Sequence, residues 1–231
     1  MSLGRATLSD VSVFDARAIV FDLDGVLVDS MPAIRDAWAH WAIDRGLSAA
    51  EVLSSLHQTA AELLAKFAPE ADPVSETRAI RARLAALDES VVAFDGSREL
   101  LARIPAGRWA IVTSATRQPA LDHLKGAQLP APAVLVSAED TPRGKPDPAG
   151  YLLAASQLHA RPAECLAIED SVAGIRAARD AGMFVVGITN SHAAAELREA
   201  NLVISTLLEL DVNAGPVDGR DAIRVEWRTG Q

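Results

Sequence analysis

The sequence predicts an α/β protein: a doubly wound, Rossmann-like parallel sheet with a small all-helical domain inserted after its first strand. Three observations lead there. Short, unbroken apolar runs recur at residues 18–21, 109–112, 133–136, 166–168 and 183–186, the pattern of strands buried on both faces. The later runs are separated by segments with helical signals, and strand–helix–strand repetition implies right-handed βαβ units. From about residue 30 to about residue 97 that rhythm stops, and only helical patterning remains.

Taken in order, residues 1 to about 12 read as a loose tail. The run 18–21 ends at Asp22, and Gly25 permits a tight turn behind it. Ser30-Met31-Pro32 opens a helix, with proline early, where its missing N–H costs little. Ile34, Ala37, Trp38, Trp41 and Ala42 follow at helical spacing, and Gly46 ends the run. Helical pattern resumes over 49–66 and 75–87, with Pro69 and Pro73 between. An insert of about 65 residues is too long for a crossover helix alone. Residues 31–95 are therefore expected to form a cap domain, with the tryptophans in its own core, and 1–30 with 96–231 to form the core domain. Further helices are expected at 119–125, 148–158 and 171–181, the last stopped by Gly182. Val217-Asp218-Gly219-Arg220 ahead of 222–227 reads as a turn into an edge strand.

Composition narrows the function classes. Hydrophobic residues make up 49% of the 231, enough for a well-buried core. A net charge of −9, with no basic run, disfavours nucleic acid and membrane surfaces as partners, because both are polyanionic. Cys165 is the single cysteine and lies in an apolar run, so it reads as a small core residue. Without a second cysteine, an internal disulfide, a thiol redox pair and a cysteine-based zinc site are excluded. No secretory leader or apolar stretch of about 18 residues is seen, and a soluble, cytoplasmic protein is expected.

In an open parallel sheet the ligand site lies beyond the carboxyl ends of the strands. The polar groups that follow the apolar runs are Asp22 and Asp24, Thr113 and Ser114, and Glu169 and Asp170, with Lys145 in a loop before a helix. Carboxylates crowded together repel unless a cation sits among them. Oxygen ligands without nearby histidine or cysteine favour magnesium over zinc. Such a set can hold a phosphate in line with one carboxylate, and positioning with charge stabilisation is most of phosphoryl-transfer catalysis. An attacking aspartate would form an aspartyl-phosphate, and a carboxylate two residues on can protonate the leaving alcohol and later activate water. Only three of the 22 basic residues are lysines: Lys66, Lys125 and Lys145. A compact ammonium at Lys145, between Gly144 and Pro146, suits a crowded carboxylate–phosphate site better than a guanidinium does.

These segments resemble the motifs of the haloacid dehalogenase superfamily. Phe21-Asp22-Leu23-Asp24-Gly25-Val26 is similar to its first motif and Thr113-Ser114 to its second. Gly144-Lys145-Pro146-Asp147-Pro148 is similar to the third, and Ile168-Glu169-Asp170-Ser171 with Gly174-Ile175 to the fourth. They occur in the family's order, and the helical insert falls where its C1 class carries a cap. The likeness covers nearly the whole chain. Within that class it is strongest to bacterial sugar and hexitol phosphatases of the β-phosphoglucomutase-like subgroup, over 109–114 and 129–153.

The resemblance implies that Asp22 is the nucleophile and Asp24 the general acid/base. It implies a Mg2+ cofactor held by Asp22, the Asp24 backbone carbonyl and Asp170, with Glu169 beside it. Ser114 and the Ala115 amide would contact the transferring phosphoryl group, and Lys145 would clamp phosphate and Asp22. Thr113 would pack into the sheet. Related phosphatases carry a His-Gly pair near the substrate in the cap; here His57 is followed by Gln58, and His57 is the candidate substrate contact, with Lys66 behind it. His40, His123, His159 and His192 read as surface residues. The expected substrate is a small phosphorylated metabolite, a sugar or polyol phosphate, acted on by a monomer or weak dimer. Dehalogenases and phosphonatases lack the second aspartate, so Asp24 argues against both. Phosphosugar mutases share all four motifs and usually carry an early cap arginine. Gln58-Thr59-Ala60-Ala61 has none, which favours hydrolysis, although Arg78, Arg81 or Arg83 could replace it. A non-catalytic binding protein would show the loss of a motif residue, and none is lost.

Overall fold

The structure, a computed structural model, describes residues 11–56, 60–86, 91–217 and 219–228. The chain divides into two compact units. The first comprises residues up to 27, 94–117 and 132 onward; the second comprises 28–93 with 118–131.

The first unit is built on a six-stranded parallel sheet in the order β6-β5-β2-β7-β8-β9. Its strands are β2 (Ala18–Phe21), β5 (Trp109–Val112), β6 (Val134–Val136), β7 (Cys165–Glu169), β8 (Phe184–Ile188) and β9 (Leu202–Ile204). Every residue of β2, β5, β6 and β7 is buried, as their unbroken apolar runs require. Register fixes which residues emerge together. Phe21 lies opposite Ile111 on one side and Ile168 on the other, so the segments following β2, β5 and β7 leave the sheet at one level. Helices α5 (Ser97–Arg103), α7 (Ala149–Gln157) and α8 (Val172–Asp180) complete the layers. Tyr151 and Ala154 of α7 and Ile175 of α8 join Val20, Val112 and Ala167 in one buried cluster. Cys165, fully buried at the start of β7, is the core residue expected.

A second, antiparallel sheet has the order β1-β11-β10, formed by β1 (Val11–Ala16), β10 (Asp211–Val217) and β11 (Arg220–Arg228). Two sequence expectations change here. The tail expected to about residue 12 has already become a strand at Val11, and the strand expected at the edge, β11, is the middle one. The first is explained by a short alternation, and the second by β10, whose Gly215 and Pro216 disguise a strand that pairs with the other side of β11. Ser12, Phe14 and Ala16 turn inward while Val11, Val13 and Asp15 are exposed. Phe14 stacks on Phe184 of β8 with ring centroids 4.6 Å apart, and Trp227 of β11 lies 5.7 Å from the same ring.

The second unit is helical: α1 (Met31–Asp44), α2 (Ala49–Ser54), α3 (Ala60–Phe67) and α4 (Pro73–Ala86), with α6 (Arg117–Gly126) running from one unit into the other. The pattern read as one helical stretch over 49–66 is divided between α2 and α3, and Pro73 opens α4, a place where its missing N–H costs nothing. The two-residue strands β3 (Val28–Asp29) and β4 (Val92–Ala93) pair antiparallel and tie the ends of the insert together. Trp38, Trp41, Leu63, Leu64 and Ile80 form its core. Among the described residues no helix is long and apolar enough to cross a membrane.

One polar group holds that core together. Trp41 Nε1 donates to Glu76 Oε2 at 2.7 Å, the Arg45 guanidinium pairs with the same oxygen, and Arg45 also lies over the Trp41 ring at 4.8 Å. The hydrogen bonds from Arg45 and Trp41 hold the Glu76 carboxyl below its ordinary value. A depressed carboxylate contributes stability that is full above its unfolded value, about 4.3, and is lost as pH falls through the folded value. Glu76→Ala also strands a buried indole N–H, at a cost of about 1–3 kcal/mol. Urea unfolding followed by tryptophan fluorescence is expected to show the variant destabilised at pH 7, with the gap to wild type narrowing in acid.

Candidate active site

The turn after β2 brings the first carboxylates into place. Asp22 N–H donates to the Ile168 carbonyl at 2.9 Å, and Leu27 N–H closes back on Leu23 at 2.9 Å. Gly25 sits at φ +83°, and a Cβ there would overlap the Asp170 carboxylate. This glycine is therefore needed twice, for its left-handed backbone and for the space the carboxylate fills. After β7, Ser171 caps α8 by accepting from Gly174 N–H at 3.0 Å, while its own hydroxyl donates to Glu169 Oε2 at 3.0 Å.

Lys145 joins two strands' worth of chemistry. Its Nζ lies 2.8 Å from Asp22 Oδ1 and 2.5 Å from Glu169 Oε1. Tyr151, fully buried, donates its hydroxyl to the same Glu169 oxygen at 2.5 Å. Burial lifts the Asp22 carboxyl well above its ordinary range; Lys145 opposes that lift, and the charges of Glu169 and Asp170 add to it. Burial and then Glu169 likewise raise Asp170 to about 6, against hydrogen bonding from Ser191 and the positive charge of Lys145. Burial disfavours the charge on Lys145, yet Asp22 and Glu169 together raise its affinity for the proton.

Asp22, Glu169 and Asp170 are all buried, and each offers an oxygen within 4.8 Å of the others. Three carboxylates face one ammonium, so the cluster is short of positive charge. An all-oxygen donor set with that deficit fits a hard divalent cation.

The crowding makes a prediction at Gly174. In an ordinary helix Gly→Ala stabilises by roughly 0.5–1 kcal/mol. Here an added Cβ would overlap the Glu169 carboxylate, and overpacking of that kind costs about 1–3 kcal/mol. Gly174→Ala is expected to lower the melting temperature, read by calorimetry, and to displace Glu169 from Lys145.

Of the residues proposed from sequence, the structure brings Asp22, Lys145, Glu169 and Asp170 together. Ser114 is exposed and lines a cavity of about 150 Å³ with Thr113, Ser137, Lys145 and Tyr151. Thr113 itself is buried. The Ala115 amide donates to Thr113 Oγ1 at 3.0 Å, a bond that a phosphate oxygen would have to replace. Asp24 lies on the turn two residues past Asp22, half-buried. His57 lies outside the described residues. Lys66 donates to Ser55 Oγ at 3.0 Å within the helical unit.

Sequence reasoning passed over Tyr151 and misplaced His192. Tyr151 is the chain's only tyrosine, and it lies in a run that reads simply as helix. His192, expected on the surface, places Nδ1 2.9 Å from the Asp170 carbonyl oxygen. The signal was available: Asn190-Ser191-His192 follows an apolar run, as the carboxylates of the site do.

Residues 16–182 match the family model described as haloacid dehalogenase-like hydrolase. Hexitol phosphatase A of Escherichia coli is 39% identical over 206 residues, which cover 87% of this chain and 95% of that protein. Validoxylamine A 7'-phosphate phosphatase of Streptomyces hygroscopicus is 38% identical over 210 residues, covering 84% and 95%. Among solved structures, a β-phosphoglucomutase from Clostridium difficile superposes with a TM-score of 0.70 at 25% identity, over 85% of this chain and 93% of that one.

Proposed function

Because the chain belongs to the haloacid dehalogenase-like hydrolase family, we propose that it is a magnesium-dependent phosphatase that hydrolyses a small sugar or polyol phosphate through a phosphorylated Asp22. The observation that carries the reading is the buried Asp22–Lys145 pair at 2.8 Å, beside two further carboxylates. Relatives named as phosphatases of hexitol, validoxylamine A 7'-phosphate and fructose 1-phosphate support the substrate class.

Asp22, the Asp24 carbonyl and Asp170 would hold the cation, with Glu169 next to them. Bound there, Mg2+ supplies positive charge against the carboxylates and the phosphoryl oxygens. Lys145 opposes the burial that raises Asp22 and so favours the ionised form of the nucleophile. An Asp22 oxygen bonds to phosphorus as the ester P–O bond breaks, and Asp24 delivers a proton to the departing alcohol. Asp24 then takes a proton from the water that attacks phosphorus, releasing inorganic phosphate and restoring the Asp22 carboxylate. Ser114 and Lys145 hold the phosphoryl oxygens throughout, and the cap domain expected over 31–95 is assigned the choice of substrate.

The test is phosphate release from hexose, deoxyhexose, hexitol and glycerol phosphates, with Mg2+ and with chelator. Turnover of at least one ester, abolished by chelation, is expected; no turnover across the panel would point to a binding protein. β-Glucose 1-phosphate with a bisphosphate primer separates the mutase reading, which predicts isomerisation in place of release.

A further inference from the structure

Asn190, Ser191 and His192 form the loop leaving β8, and all three reach the edge that carries the carboxylates. β8 neighbours β7, and β7 neighbours β2. A loop folding back from β8 therefore crosses the Asp170 end of β7 and then the turn behind Asp22. The contacts follow that path. The Ser191 hydroxyl faces the Asp170 carboxylate: both stand within 3 Å of the point that a Gly25 Cβ would occupy. The His192 Nδ1 contact with the Asp170 carbonyl, 2.9 Å, puts the proton on Nδ1, because a carbonyl only accepts. Asn190 Nδ2 donates to the Gly25 carbonyl at 2.8 Å. At the base of the loop, Thr189 N–H donates to Ile204 of β9 at 3.0 Å. The matched family segment ends at residue 182, so the loop lies outside it.

We propose that Asn190, Ser191 and His192 are positioning residues that fix the Asp170 carboxylate against the turn behind Asp22 and thereby set how tightly the site holds its divalent cation. The inference rests on the metal-dependent reading above. A carboxylate at a strand end can turn about its side-chain torsions. Here its backbone is held by His192, its oxygens by Ser191, and the facing turn by Asn190, so one loop clamps both halves of the carboxylate cluster. Gly25 completes the arrangement, since a Cβ there would come 2.9 Å from Ser191 Oγ as well as overlapping Asp170. Hydrogen-bond partners one layer out from a metal ligand typically change metal affinity by about 10–100-fold.

The experiment is Mg2+ binding to the substrate-free protein by titration calorimetry, run beside the Mg2+ dependence of phosphate release. Ser191→Ala and His192→Ala are each expected to weaken Mg2+ binding about 10-fold or more, with the unfolding midpoint of the metal-free protein unchanged. Ser191→Thr, which keeps the hydroxyl, and His192→Asn, whose Nδ2 takes the place of Nδ1, are expected to restore it. Wild-type affinity in both alanine variants overturns the proposal, and so does a loss that the conservative variants fail to recover. If the variants weaken Mg2+ binding but wild type hydrolyses no phosphate ester, the reaction reading fails and the positioning role stands. If wild type releases phosphate and every variant binds Mg2+ normally, the positioning role alone fails.

Discussion

Asp22→Asn is expected to lower phosphate release by a factor on the order of 10⁴ or more, the scale seen when a nucleophile is removed from a covalent mechanism. The amide keeps the shape of the carboxylate but cannot bond to phosphorus and leave again as a carboxylate. Stability is expected to move the other way. Burial and the charges of Glu169 and Asp170 hold the wild-type carboxyl well above its ordinary range. The folded state therefore binds a proton more readily than the unfolded chain, and stability falls as pH rises through the folded value. Removing that charge removes the penalty. Metal-free Asp22→Asn should melt at or above wild type at pH 8, while being catalytically dead. A variant that is both inactive and destabilised would mean that Asp22 matters for folding.

Lys145→Ala should be damaging in both respects. Its ammonium is the partner of Asp22 and Glu169 at 2.8 and 2.5 Å, and removing one member of a buried pair costs about 3–5 kcal/mol. The Asp22 carboxyl then rises further, since the charge that opposed burial is gone. The folded state takes up protons, so the deficit should be largest at pH 8 and shrink toward pH 5. Saturating Mg2+ should recover part of it, because any ligand bound only by the folded state stabilises, by about 2.7 kcal/mol at one hundred times its dissociation constant. Turnover should fall by about 10²–10³, as when one preorganised charge donor is lost, and the acid limb of the rate profile should shift to higher pH. Lys145→Arg is expected to recover little, since a planar guanidinium does not fit the point between two carboxylates. Melting curves and pH–rate profiles on the two variants check each of these signs.

The carboxylates of the site were legible in the sequence because each stands directly after an unbroken apolar run. Asp22, Glu169 and Asp170 were found that way, and register then placed them together, Phe21 lying opposite Ile168. Lys145 was legible from its place in a Gly-Lys-Pro loop before a helix, and the scarcity of lysine in this chain sharpened it. Tyr151 was not found, because a buried tyrosine inside a helix looks like any core aromatic until its hydroxyl needs a partner. The Asn190-Ser191-His192 loop followed the same rule as the carboxylates, but its role depends on β8 lying next to β7, and strand order is not written in local pattern. β9 was missed for a related reason. Three residues, Leu202–Ile204, carry too little alternation to register, and only pairing with β8 makes them a strand. The glycines show a further limit: that Gly25 and Gly174 each abut a carboxylate is a fact of packing. Spacing alone suggested only a turn and a helix.

The most direct test of the account is to trap the phosphoryl group on the protein. Asp24→Asn, which lacks the base proposed for the second step, is turned over with Mg2+ and the best phosphate ester, quenched in acid and reduced with borohydride. An aspartyl-phosphate is reduced where a free carboxylate is not, so mass spectrometry of the peptides should find homoserine at position 22 and nowhere else, and only when substrate was present. Unmodified Asp22 in a variant still releasing phosphate, or reduction at a different residue, would contradict it.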